Sequence, residues 1–407
     1  MLIQVTGLDY IVKYFKVKHD ILLSFVGRRV KNLLLRNICH FPQSEYIDRS
    51  WPLDRPIPFP VWGKSPFILK LENEEILAEL IADLERVIKN QLDKHDYNSV
   101  GNFLTFYEAW KKKKRPEVAK FYRKYQPPIT PKHHTCVGLG LDLVTKCQQL
   151  QKKYPGIKKA VFPASCEEDI SLHTYVRPSE SNPDRNKSEK EHVVVALRFQ
   201  IGKRLGAIIM DTGYHIAKPV VVMEDSCEPE TGWFQPDATN AVNKWYKYEW
   251  HSSGNYVTWR SKTTKGEQTV EESALIYIGR VFRSTADTTE RRNLLYPFKS
   301  WLKRDENGVI KAGFYFGLKI FEEASVTFLY TDPSSKQIRR KFSFKDLTSG
   351  ALTADKMCDI DICTSQLRKD SLEPFIKEIV EAISDENFLS EVLTLNQRIL
   401  DEISGDN

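Results

Sequence analysis

Two apolar runs, residues 193–201 and 206–210, flank the dipeptide Gly202-Lys203, and no other stretch constrains the chain so tightly. Runs of this kind read as strands, and a two-residue turn containing glycine joins them as a hairpin. If Ile201 pairs with Arg204, cross-strand partners have numbers summing to 405. His192 then stands opposite Gly213, and Asp211 becomes its diagonal neighbour on the same face. Such neighbours lie roughly 7–8 Å apart at Cα, within reach of a side-chain hydrogen bond. A turn one residue longer would send the two side chains to opposite faces. Asp211 closes the run Ala207-Ile208-Ile209-Met210, where a carboxylate is either paired or solvated at the strand end. The alternation of Val193, Val195, Leu197 and Phe199 with Val194, Ala196, Arg198 and Gln200 predicts one strongly apolar face.

Upstream, the segment His133-His134-Thr135-Cys136-Val137-Gly138 leads into Leu139, Leu143, Cys147 and Leu150, a stripe of helical period. Thr135 suits an N-cap, which puts Cys136 in the first turn. The partial positive charge at a helix start favours thiolate over thiol. A thiol nucleophile needs a base, and the base needs a group that fixes its tautomer and orientation. Cys136, His192 and Asp211 form that candidate catalytic set. A buried, inert thiol is the competing reading of Cys136. His173 and His215 are competing bases, though neither begins so clear a strand.

The order Cys, His, Asp, with the cysteine opening a helix, resembles the papain-like transferases that include arylamine N-acetyltransferases and transglutaminases. Thr135-Cys136 with its Leu-rich helix, Lys153-Tyr154-Pro155-Gly156-Ile157, and Val161-Phe162 are similar to the acetyltransferases' nucleophile helix, turn and following strand. Met210-Asp211-Thr212-Gly213-Tyr214, with Pro219-Val220 beyond, resembles their strand ending in Asp-Val-Gly-Phe-Gly, and His192 matches their histidine. The resemblance runs from about residue 66 to 225. It departs at Pro131-Lys132-His133-His134, where the family has Arg-Gly-Gly, at Gly138 for an acidic residue, and at His215 for a glycine. It implies a thioester on Cys136, acetyl-CoA or another acyl-CoA as donor, and a small-molecule amine as acceptor. A papain- or transglutaminase-like hydrolase of peptide or isopeptide bonds, and a catalytically silent binding module, are the alternatives. His133, His134, Gly213 and Tyr214 are candidates for the substrate pocket.

The remaining pattern predicts an α+β protein: a helical N-terminal region, the nucleophile helix packed on an antiparallel sheet or barrel, and C-terminal helices. Helices are expected at 33–38, 72–95, 100–125, 372–383 and 388–403, with an extended Pro-rich segment at 51–60 and a polar mobile loop at 178–191. Further strands are expected at 244–250 and 256–260, forming a hairpin, and at 275–282, 314–320, 326–330 and 338–344. Divisions fall at 1–130, 131–225 (the catalytic core), 226–350 (a β-rich domain) and 351–407. Seven scattered cysteines, an odd number, fit reduced thiols and a cytoplasmic setting better than a disulfide framework. No apolar run approaches the ~18 residues of a membrane span, and residues 1–13 lack the features of a secretory signal. A net charge of +6 does not demand nucleic acid. The basic run Lys111 to Arg115 reads as a solvated face. The aromatic strand residues Trp245, Tyr246, Tyr248 and Trp250 fit cross-strand packing better than a stacking platform. His-His-x-Cys matches no usual zinc spacing, and the Cys358/Cys363 pair has no partner pair, so no metal is expected. Oligomeric state is open.

Overall fold

A computed structural model describes residues 51–53, 55–130, 134–167, 190–214, 216–236, 243–349 and 352–404. The expected helix at 33–38, His133, His173, His215 and most of the 178–191 loop lie outside these residues. The fold is mixed α and β, built on two antiparallel sheets with helices towards both ends.

Helix α1 (Glu74–Lys94) starts where Asn73 Oδ1 accepts the Ile76 N–H at 2.9 Å, with Glu74 and Glu75 set against the positive helix end. Its buried stripe of Leu77, Leu80, Leu84, Ile88 and Leu92 follows the helical period. Helix α2 (Ser99–Lys112) is shorter than the sequence suggests. Pro116 cannot supply a helical N–H, and the chain turns at Lys114 and Arg115 before a separate short helix, Val118–Lys124. Lys112, Lys113, Lys114 and Arg115 are exposed, as a solvated run should be.

The larger sheet contains β1 (Leu69–Leu71), β3 (Val161–Glu167), β4 (His192–Ile201), β5 (Arg204–Met210), β6 (Val220–Met223), β7 (Asn243–Trp250), β8 (Tyr256–Lys265) and β9 (Gln268–Tyr277). Its order is β6-β5-β4-β3-β9-β8-β7, with β1 added in parallel to the far end of β4. The chain after β6 almost closes it into a barrel. Thr231 N–H bonds Val221 O at 3.0 Å on one margin, and Phe234 pairs with Tyr246 on the other. Because β3 pairs with both β4 and β9, the division expected at residue 225 falls inside this sheet.

The face of Val193, Val195, Leu197 and Phe199 is buried, and the opposite face is buried as well at Val194 and Ala196 but only half-buried at Arg198 and Gln200. Val195, Leu197 and Phe199 face α1 and helix α3 (Cys136–Gln148), in a core with Leu143, Val144 and Cys147. Val194 and Ala196 face the barrel interior with Ile209, Val222, Tyr246, Tyr248 and Trp259. Strand residues that alternate between a helical layer and a barrel interior are apolar on both sides, so period-two polarity vanishes from Val193 to Leu197 and returns at Arg198 and Gln200. Tyr248 stacks on Trp259 and Tyr246 meets the same ring edge-on, so these aromatics pack the barrel.

The second sheet has the order β13 (Gln337–Ser343), β12 (Ser325–Thr331), β11 (Ile310–Gly317), β10 (Phe298–Arg304) and β2 (Tyr97–Asn98). Trp301, Phe314, Phe328 and Phe342 form an aromatic row across it, with centroids 5.6–5.9 Å apart. Helices Ala354–Gln366, Glu373–Ser384 and Glu386–Ser404 follow, the last two close to their expected bounds. The first was not expected, because its sequence is polar and few of its residues are buried. Among the described residues no helix is long and apolar enough to cross a membrane.

Candidate active site

Cys136 is the first residue of α3, and Thr135 occupies the N-cap with extended backbone (φ −95°, ψ −171°). The expected cap bond is absent. The Thr135 hydroxyl instead donates to Glu290, so among the described residues no side chain caps the first-turn N–H groups. Cys136 is buried, and its Sγ accepts a hydrogen bond from Asn293 Nδ2 at 3.4 Å.

The hairpin register is the one the turn implies: Ile201 pairs with Arg204 and Val195 with Met210. Beyond the last ladder pair, His192 Nε2–H donates to Asp211 Oδ2 at 3.0 Å, with both side chains buried. The Cys136 thiol lies near enough to the imidazole to raise its pKa, while its own hydrogen bond goes to Glu191 O at 3.9 Å. With Nε2 committed to Asp211, Nδ1 is the nitrogen left for sulfur. Burial opposes a charged His192, but the charge and hydrogen bond of Asp211, together with the contact to Cys136, outweigh it and hold the imidazole well above its usual pKa. Asp211 is fixed in turn, since its Oδ1 accepts the Tyr214 N–H at 3.0 Å. The Tyr214 ring meets the imidazole edge-on at 4.5 Å.

Gly213 sits where the three side chains converge. A Cβ there would lie 2.7 Å from His192 Cε1, 3.1 Å from Cys136 Cβ and 3.2 Å from Asp211 Oδ1. A cavity of about 380 Å³ opens onto Cys136, His192, Gly213, Tyr214 and Asn293, with Tyr97, Tyr296 and Phe298 among its aromatic walls. Gly213 and Tyr214 therefore lie on the wall of this cavity.

His134 lies elsewhere. It is buried, its ring meets His95 at 4.9 Å, and it is absent from the cavity wall. Burial pushes its pKa down to about 4, so it is neutral near pH 7. Its Nδ1 would be 2.3 Å from a Cβ at position 138, which explains the glycine there. Among the described residues, no group of three or more His, Cys, Asp or Glu is placed to hold a metal ion. Cys358 is exposed, whereas Cys363 is buried with its thiol on Gly313 O, so these two are unpaired.

Several residues around the site were not anticipated. A π-type turn (Ala286–Glu290) runs into a short helix (Arg291–Leu295) beside α3. Glu290 is fully buried, accepting from Thr135 Oγ1 and, at 2.6 Å, from Asn102 Nδ2. Burial raises its pKa to about 7, against the pull of those two bonds. Lys299 Nζ, also buried, donates to Asn293 O at 2.7 Å and Leu294 O at 3.0 Å, satisfying carbonyls at the helix end. Arg304, from β10, donates to Thr212 O, and burial brings its pKa down to about 10 while Asp96 and Asp211 oppose the shift. The available signal was the cluster of charges at 290–292, and charged residues usually read as surface.

No protein-family model matches the chain, and no curated protein matches it. Among solved structures it is similar to an arylamine N-acetyltransferase (NAT) from Salmonella typhimurium, with 9% identity and a TM-score of 0.33 over 76% of this chain and 97% of that one. The reading of the site rests on its own geometry.

Proposed function

We propose that the chain is a cysteine-dependent acyl-transfer enzyme with Cys136 as nucleophile, His192 as base and acid, and Asp211 as the group that orients His192. One observation carries this reading: a thiol at a helix start shares a cavity with a histidine held by a buried aspartate. In the first half-reaction His192 Nδ1 holds the thiol proton and the thiolate attacks the acyl carbon. The C–S bond forms while the carbonyl π pair moves to oxygen. The carbonyl re-forms as the leaving group departs with the proton from His192. An amine or water then attacks the thioester, with His192 taking and returning the proton. The cavity has the size of a small-molecule site. Among the described residues that line the cavity there is no lysine or arginine to meet the phosphates of an acyl-CoA. The donor is better described as an activated small acyl group.

Intact-mass measurement after mixing with p-nitrophenyl acetate tests this. The expected result is a single acetyl adduct, mapped to Cys136 and lost in Cys136→Ser. Labelling first at Cys147 or Cys166, or no adduct with several acyl donors, would overturn it. Deacylation that ignores added amines would make the enzyme a hydrolase.

A further inference from the structure

We infer that Asn293 is a catalytic residue, its side-chain amide donating to the oxyanion of the tetrahedral intermediate formed on Cys136. This inference rests on the acyl-transfer reading above. Asn293 Nδ2 is 3.4 Å from Cys136 Sγ, and the residue lines the same cavity. A donor that reaches the sulfur also reaches the oxygen on the carbon that becomes bonded to it. The first-turn N–H groups of α3, uncapped among the described residues because the Thr135 hydroxyl turns to Glu290, supply the backbone half of such a hole.

The surroundings hold that amide still. Glu290 and Asn293 are three residues apart on one helical segment and so share a face. The first grips Thr135 and the second grips Cys136, so the segment engages two consecutive residues of the nucleophile turn. Lys299 fixes the Asn293 carbonyl from the other end. Donors that need no reorganisation when charge develops are those that lower a barrier. As the thiolate attacks, the π pair becomes an alkoxide oxygen facing Nδ2–H. When the C=O re-forms, that hydrogen bond weakens again and the leaving group takes its proton from His192.

The test compares two reactions of the same sulfur. Acylation by p-nitrophenyl acetate passes through an oxyanion, whereas alkylation by iodoacetamide displaces iodide at carbon and does not. Asn293→Leu keeps the shape and removes the donor. Acylation should fall about 10²–10³-fold, far more than alkylation, which loses only the Nδ2–H···Sγ bond. Asn293→Ala, checked by thermal melting, serves the same purpose if the leucine variant fails to fold. Unchanged acylation would overturn the assignment alone. A loss of alkylation as large as that of acylation would make Asn293 a thiolate-stabilising residue instead. A wild-type protein that takes no acetyl group on Cys136 would overturn the acyl-transfer reading and this inference with it.

Discussion

Gly213→Ala inserts one methyl group at the meeting point of Cys136, His192 and Asp211. The backbone at 213 lies outside the left-handed region, so alanine pays no conformational penalty and the effect is steric. The new carbon would stand 2.7 Å from His192 Cε1. Carbon atoms rest at about 3.5–4.0 Å, so the imidazole must retreat by roughly 1 Å. Its bond to Asp211 is 3.0 Å long. A displacement of that size takes it past the limit of about 3.5 Å for a hydrogen bond. Misplacing a reacting group by about 1 Å costs on the order of 10²-fold in rate, and overpacking a buried site costs about 1–3 kcal/mol. The assay is the single-turnover rate of Cys136 acetylation by p-nitrophenyl acetate, with melting temperature measured alongside. The expected variant is folded, modestly less stable and about 100-fold slower. A folded Gly213→Ala protein acetylated at close to the wild-type rate would refute the geometry, because the three side chains could not then converge on that atom.

Two other substitutions probe the same centre. Asp211→Asn can keep its Tyr214 contact through the amide oxygen but presents NH₂ to His192 Nε2, favouring the wrong tautomer. Acylation should drop by about 10⁴-fold, and the alkaline limb of the alkylation–pH profile should move to lower pH, since the carboxylate that raises the His192 pKa is gone. Glu290→Gln preserves both bonds if the Thr135 hydroxyl reverses to accept. The Glu290 pKa is about 7 when folded, against 4.5 for the free side chain, so its stabilising contribution is complete below 4.5 and lost as pH rises through 7. The melting temperature of Glu290→Gln should therefore gain on wild type between pH 5 and pH 8, by on the order of 3 kcal/mol in stability. A gap that does not change with pH would show that Glu290 stays ionised without cost.

The parts of this site that were legible in the sequence are those set by local rules. A two-residue turn fixes register, and register alone brings His192 to Asp211. The apolar stripe after Thr135 places Cys136 at a helix start. What was hidden depends on distant partners. Glu290, Arg291, Arg292, Lys299 and Arg304 carry charges that normally mark surface, yet all five are buried. Each meets a group far away in the chain or the carbonyls of a helix end: Arg291 donates to Tyr122 O at 2.6 Å, Arg292 to Asn396 at 2.9 Å and Lys299 to Asn293 O. Strand β10 was missed for the same reason, since Lys299, Lys303 and Arg304 conceal its strand character. The placement of His134 was hidden too, because adjacency to Cys136 in sequence says nothing about which side of a helix start a ring will pack on. Here the bare α-carbon of Gly138 leaves room for the ring against the helix.

Cys136, His192 and Asp211 lie within one 76-residue stretch, yet Asn293 bonds the cysteine itself, and Glu290 and Arg304 hold the adjoining Thr135 and Thr212. A ribosome making about 5–20 residues per second needs on the order of 10–30 s to travel from the cysteine to that arginine. Throughout that interval the thiol has emerged without its full complement of neighbours. Chemistry is thereby tied to completion of the chain: a nascent or truncated product carries the nucleophile but not the apparatus that arms it, and its sulfur should react as an ordinary cysteine.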